Sequence, residues 1–214
     1  MLPFAPEGYP FVLVPATAGI AAFLFGYPVV AWLLWGFAVF CVTFFRDPAR
    51  SSDAPPEAVL APADGKVLSV GNAPSPLAAQ GLPTQVSIFM SPANVHVNRA
   101  PISGVASEVL TRPGRKFPAY RDKASELNEH SFVRIDGPAA SVAYKQIAGS
   151  VARRVVCDLT PGEDVTRGQR VGIIKLSSRV DLFLPGHVKI LVAPGDRTRA
   201  GETVVAVISD GPQP

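Results

Sequence analysis

"PGEDVTRGQRVGII", residues 161–174, returns in altered form as "PGDRTRAGETVVAV" at residues 194–207. Both copies carry Pro-Gly, a second glycine seven residues after the proline, and a valine three residues beyond that. Pro-Gly punctuates a chain with a turn, and a short apolar β-branched run after it reads as a strand. Two copies related in this way predict paired hairpins in a pseudo-symmetric β-fold. Outward from them the chain is a succession of similar short runs: "KVLSV" (66–70), "QVSIFM" (85–90), "GVASEVL" (104–110), "SFVRI" (131–135), "ASVAYKQIA" (140–148), "RVDLFL" (179–184) and "HVKILV" (187–192). Helical periodicity is scarce, with "YRDKASELNEH" (120–130) as the one stretch that could hold a helical turn or a mobile loop. This spacing predicts a mainly β domain, a distorted sandwich or barrel with hairpin repeats.

The N-terminus breaks the pattern. Between Glu7 and Arg46 lie 38 residues without a charged side chain, interrupted only by Gly26-Tyr27-Pro28. Split there, the stretch gives two apolar helices of about 16 and 17 residues, each reaching roughly 24–26 Å against a hydrocarbon core of ~30 Å. Two short spanning helices and a re-entrant hairpin fit equally well. The stretch is too long for a signal-peptide core. Residues 1–45 are therefore expected to form a membrane-associated helical hairpin, 46–58 ("RDPARSSDAPPEA") a polar linker, and 59–214 a β-rich catalytic domain. Arg46 and Arg50 directly after the apolar stretch favour the cytoplasmic face for that domain.

The chain has 20 basic and 17 acidic residues, a net of +3, and the basic excess is local. "RPGRKFPAYRDK" (112–123) would be drawn to an anionic membrane surface, and nucleic acid is not an expected partner. Cys41 and Cys157 are the two cysteines, and no cluster has zinc-ligand spacing, so no metal is expected.

Three segments carry candidate chemistry. "LAPADGKVLSV" (60–70) places Asp64 in an Asp-Gly turn ahead of a strand. "FMSPANVHVNRAPISGVAS" (89–107) holds His96 and Arg99. Between the two repeats, "IIKLSSRVDLFLP" (173–185) joins apolar runs through Ser177-Ser178 where glycine would turn more easily. Taken singly these are an ordinary turn, a strand histidine and a polar loop. Taken together they supply an acid, an imidazole and a hydroxyl, the parts that activate a serine.

In the motifs "FFRDPAR", "APADGKV", "FMSPANVHVNRAP", "KASELNEH", "QIAGSVARRVV" and "SSRVDLFLP" the chain resembles the compact bacterial and archaeal type of phosphatidylserine decarboxylase, from Arg46 to about Pro185. The resemblance implies a proenzyme that cuts its own chain between Ser177 and Ser178. Ser178 Oγ attacks the Ser177 carbonyl, the resulting ester undergoes β-elimination, and hydrolysis of the dehydroalanine leaves a pyruvoyl group derived from Ser178 as the cofactor. That carbonyl would form a Schiff base with phosphatidylserine, release CO2 and yield phosphatidylethanolamine. By position Asp64 and His96 match the family's acid and histidine, with His96 as base held by Asp64. Larger members have a second histidine where this chain has Arg99. Arg99, Glu129 and His130 are candidate head-group contacts, and His187 reads as a turn residue. The two fragments would remain together as a heterodimer, with a higher oligomer open. The family commonly has Gly-Ser at the cut, and Ser177 in its place is expected to slow the acyl shift. Two alternatives stand beside this reading: a processing-defective, membrane-anchored lipid-binding β-module, and a decarboxylase of another amino-acid-headed lipid.

Overall fold

The computed structural model describes residues 3–115, 117, 127–149, 154–175 and 178–209, and the chain divides into two compact units, residues 1–49 and 50–214. In the first unit a single 3-10 turn, Pro6–Gly8, leads into α1 (Tyr9–Leu24), and α2 is Pro28–Phe44. Gly26 turns the chain between them with φ +82°, a conformation side chains resist, and Pro28 starts α2 where its missing N–H costs nothing. The helices close on each other at Gly19, where a Cβ would lie 2.5 Å from Trp35 Nε1; that indole donates to the Ala16 carbonyl at 3.2 Å. Their outward surface is apolar. Leu24, Phe25, Trp32 and Leu33 are each at least 67% exposed. The helical stretch Pro6–Leu24, mean hydropathy 1.3, is long and apolar enough to cross a membrane, and α2 is apolar but shorter.

The second unit is mainly β. Its centre is a curled eight-stranded sheet in the order β13-β2-β3-β11-β7-β6-β5-β9. The members are β2 (Gly65–Asn72), β3 (Thr84–Met90), β5 (Gly104–Arg112), β6 (His130–Asp136), β7 (Ser141–Ala148), β9 (Asp164–Val165), β11 (Ser178–Leu184) and β13 (Arg197–Thr198). Two three-stranded sheets complete the fold. One sets β14 (Val204–Ile208) between β1 (Ala58–Leu60) and β12 (Val188–Ile190); the other sets β10 (Arg170–Ile174) between β4 (Val97–Arg99) and β8 (Val155–Cys157). Every pairing between these strands is antiparallel. The alternating apolar residues Val86, Ile88 and Met90 on β3 and Val180, Leu182 and Leu184 on β11 point into the common core. A short helix, α3 (Ser75–Ala79), lies on the opposite face through Leu77, against Phe183 and Ala143.

The sequence repeat has a structural counterpart, although the copies are not hairpins. In each copy the Pro-Gly turn places its glycine at positive φ (Gly162 +87°, Gly195 +105°), and a two-residue strand closes one edge of the large sheet. A second positive-φ glycine follows (Gly168 +80°, Gly201 +73°), and the chain crosses to become the central strand of a small sheet. The partner segments obey the same symmetry. Leu60 N donates to the Pro101 carbonyl, while Arg99 N donates to the Pro62 carbonyl. "APADG" and "APISG" are thus equivalent corners of one pseudo-two-fold fold.

Candidate active site

Ser178 opens β11, the central strand, in which every residue is buried. It sits between Met90 of β3 and Ala148 of β7. Its side chain faces the core and donates to Met90 Sδ at 3.4 Å. A thioether is among the weakest acceptors in a protein. The hydroxyl is thus removed from water, with a weak acceptor as its partner among the described residues, which suits a nucleophile. Arg179, pointing to the other face, fixes the strand end: its Nε pairs with Asp181 and its Nη2 donates to Ser87 Oγ at 2.8 Å.

His96 is reached from Met90 by a tight turn. Asn94 N donates to the Ser91 carbonyl at 2.9 Å, and Asn94 Oδ1 accepts from Ser91 N at 2.9 Å and from Ser91 Oγ at 2.7 Å, which pins the turn that delivers the chain to β4. The His96 ring is fully buried, with Nδ1 2.9 Å from the Asn94 carbonyl. A carbonyl only accepts, so in the neutral ring Nδ1 carries the proton and Nε2 is the basic nitrogen. The His96 carbonyl in turn accepts from Ile174 N at 3.3 Å, at the end of the strand that leads to Ser178.

Asp64 stands elsewhere in the network. Arg50 Nη2 lies 2.9 Å from one carboxylate oxygen, and Ala200 N donates to the other at 2.8 Å. The described Asp64 contacts place its carboxylate at the corner, and the described contact of the His96 ring is the one to the Asn94 carbonyl. The pseudo-equivalent of Asp64, Ser103, accepts from Arg167 N at 2.9 Å in the same way. Asp64 adds to that shared capping role a charge, and the charge pairs with Arg50, whose side chain is 7% exposed.

Asn98 was not among the sequence candidates, yet it links these segments. Its Nδ2 reaches the Pro62 carbonyl at 3.3 Å, in the Asp64 loop, and Met90 Sδ at 3.7 Å, the sulfur that holds Ser178. Gln146 Nε2 donates to Asn98 Oδ1 at 2.8 Å, and Ser131 Oγ donates to Gln146 Oε1 at 2.6 Å. All three side chains are fully buried. Both Asn98 and Arg50 lie inside quoted motifs, and burial inside a polar motif is the signal that only the fold supplies.

The other candidates separate. Arg99 Nη1 donates to the Gly168 carbonyl at 3.0 Å and its stem packs on Gly201, so it bridges the two equivalent crossings. Glu129 accepts from Val155 N at 3.2 Å, and its carbonyl accepts from Ala148 N, beside Ser178. His130 faces the far side of the large sheet. Burial pulls its pKa below the ordinary histidine value; the hydrogen bond to the Asn128 carbonyl opposes this, and the positive charges of Lys145 and Arg112 add to the lowering. Ser177, most of the basic stretch 112–123 and most of 120–130 lie outside the described residues. Among the described residues no group of three or more His, Cys, Asp and Glu has the arrangement of a metal site.

Comparison with known proteins bears on this geometry. The sequence profile of the family described as phosphatidylserine decarboxylase matches residues 37–206. The chain belongs to the phosphatidylserine decarboxylase family. Among its relatives, the phosphatidylserine decarboxylase proenzyme of Magnetococcus marinus is 44% identical over 202 residues, 93% of this chain and 92% of that one. Proteins of the same name from Pelodictyon phaeoclathratiforme and Paraburkholderia xenovorans are 46% identical over 168 residues and 40% over 203, covering 78% and 94% of this chain and 79% and 95% of theirs. In this phosphatidylserine decarboxylase, Ser178, His96 and Asp64 stand on three segments that Asn98 and Met90 connect.

Proposed function

We propose that this member of the family is a self-processing, pyruvoyl-dependent enzyme that decarboxylates phosphatidylserine to phosphatidylethanolamine at the cytoplasmic face of the cell membrane. The observation that carries the reading is the setting of Ser178: a fully buried hydroxyl at the first position of the central strand, donating to a thioether among the described residues. Ser178 Oγ attacks the carbonyl of residue 177, with His96 Nε2 taking the proton, because a neutral hydroxyl is a weak nucleophile without a base. The N–C bond between residues 177 and 178 is exchanged for an ester. Loss of the Cα proton from residue 178 then expels the upstream chain as a carboxylate, and water converts the dehydroalanine to the pyruvoyl group with release of ammonia.

The site suits a terminal carbonyl group. After the cut, residue 178 remains paired to Met90 and Ala148, and Arg179 remains anchored by Asp181 and Ser87, so the new terminus stays where the serine was. When formed, the group supplies a carbonyl that binds the substrate amine and draws off the electrons left as CO2 departs. His96, buried at the same end of the sheet, is the group that returns the proton. Asp64 acts through position, fixing the corner from which Pro62 holds Asn98. The apolar hairpin keeps the domain at its lipid substrate, and Arg46 after α2 favours the cytoplasmic side. The two fragments stay together as a heterodimer, because β11 is paired on both sides with strands of the upstream fragment.

Ser178→Ala tests the reading. The variant should remain full length on a denaturing gel and release no CO2 from phosphatidylserine. Cleavage at the wild-type rate in that variant would move the nucleophile to another residue.

A further inference from the structure

Ser131 on β6, Gln146 on β7 and Asn98 on β4 form a fully buried chain of polar side chains. It ends at the Met90 sulfur, the atom to which Ser178 donates. A primary amide can sit in two orientations of nearly the same shape, which differ in the end that donates. One neighbour settles the choice here. The Pro62 carbonyl only accepts, so the end of Asn98 that faces it, 3.3 Å away, is Nδ2. Oδ1 is then turned to Gln146, whose Nε2 donates to it at 2.8 Å. Gln146 Oε1 is turned in its own right to Ser131, whose hydroxyl donates at 2.6 Å. Each donor in the chain points from β6 towards Met90.

The consequence falls on the sulfur. Asn98 brings nitrogen rather than oxygen to 3.7 Å from Met90 Sδ, so two donors, Asn98 Nδ2 and Ser178 Oγ, meet on one weak acceptor. Turned over, the same amide would bring a carbonyl oxygen to that place, beside a hydroxyl with only a thioether to bind among the described residues. An amide oxygen accepts from a hydroxyl far better than a thioether does, and that extra binding must be given up before Oγ can attack.

We propose that Gln146 is a positioning residue for self-cleavage: it locks the Asn98 amide with its nitrogen towards Ser178 and so keeps the nucleophilic hydroxyl on a weak acceptor. Ser131 holds Gln146 in turn, and Pro62, in the Asp64 loop, holds Asn98 from the other side. The proposal rests on Ser178 being the nucleophile. It adds what sets the strength with which its hydroxyl is held.

The full chain, pulse-labelled by cell-free synthesis in a non-ionic detergent and chased across a range of pH, gives the self-cleavage rate on denaturing gels. Gln146→Glu keeps the shape of the side chain but, ionised, only accepts, so the Asn98 amide must turn over to meet it. Cleavage should slow by roughly five- to thirtyfold, the difference between an amide and a thioether acceptor. A protonated carboxyl at position 146 donates as the amide does, so the rate relative to wild type should rise as pH falls. Tyr144, Cys157, His96 and Asp64, the titratable groups of the surrounding core, are common to both chains and cancel in that ratio. Asn98→Leu removes the amide being locked. It should slow cleavage by itself, and adding Gln146→Glu to it should bring neither further slowing nor pH dependence. A packing role for Gln146 predicts effects that add. Gln146→Met, with the shape but neither charge nor donor, repeats the cycle with less risk to the fold, and circular dichroism in the Ser178→Ala chain identifies any variant that does not fold. Wild-type rates in the folded Gln146 variants, or additive slowing in the double variants, overturn the proposal. A wild-type chain that never cuts itself would instead defeat the processing reading, and the lock with it.

Discussion

At the scale of single residues, Asp64 and Arg50 carry the sharpest expectation. Their ion pair is largely buried; breaking such a pair commonly costs about 3–5 kcal/mol, and here Glu202, 3.6 Å from Arg50 Nε, would offset part of that when Asp64 is removed. Asp64→Asn should therefore slow self-cleavage by displacing the corner that holds Asn98. If the effect runs through Arg50, the double variant Arg50→Met, Asp64→Asn should cleave faster than Asp64→Asn alone, read as a rate on denaturing gels. A double variant no faster than the single one would mean that Asp64 acts by a route other than its pair with Arg50. The residues were legible in the sequence to different degrees. Ser178, His96 and Asp64 stand in motifs specific enough to be read directly. Asn98 and Arg50 stand in the same motifs, but their importance comes from burial and from partners 36 and 14 residues away, which no local pattern encodes.

At the scale of elements, β11 couples the site to the sheet. Its alternation puts Ser178 on the core face and the Arg179–Asp181 pair on the other, with side-chain exposures of 5% and 0%. Asp181→Ala should lower stability by about 3–5 kcal/mol in chemical denaturation, whereas Arg179→Met with Asp181→Leu should recover most of the loss. Recovery of nothing would show that the pair matters for more than its own neutralisation. The strands themselves were largely visible as short apolar runs between Gly and Pro. The two-residue edge strands β9 and β13 were not, because two residues have no period to detect. α3 is five residues long and was equally hidden. The repeat was visible, but its meaning was not: antiparallel hairpins and crossings between sheets share turn chemistry, and only the pairing partners distinguish them.

At the scale of the whole molecule, the two units make separable contributions. A chain beginning at residue 46 keeps Arg50 and should be a soluble domain that still self-cleaves but works poorly on bilayer phosphatidylserine. One beginning at residue 53 lacks Arg50 and should cleave more slowly. Sedimentation with lipid vesicles and a gel time course measure both; persistence of the first truncate in the membrane fraction would place the attachment in the β-domain. The apolar hairpin was legible because 38 uncharged residues leave little else to be. The eight-strand order was not, since its neighbours come from distant parts of the chain. The central claim is the conversion of Ser178, and the intact mass of the purified, denatured protein tests it most directly. The account predicts two species from the 214 residues, an upstream piece of 177 and a downstream piece of 37, the latter with the mass of a pyruvoyl terminus in place of serine. A single species with the full-length mass, from protein that turns over phosphatidylserine, would contradict it.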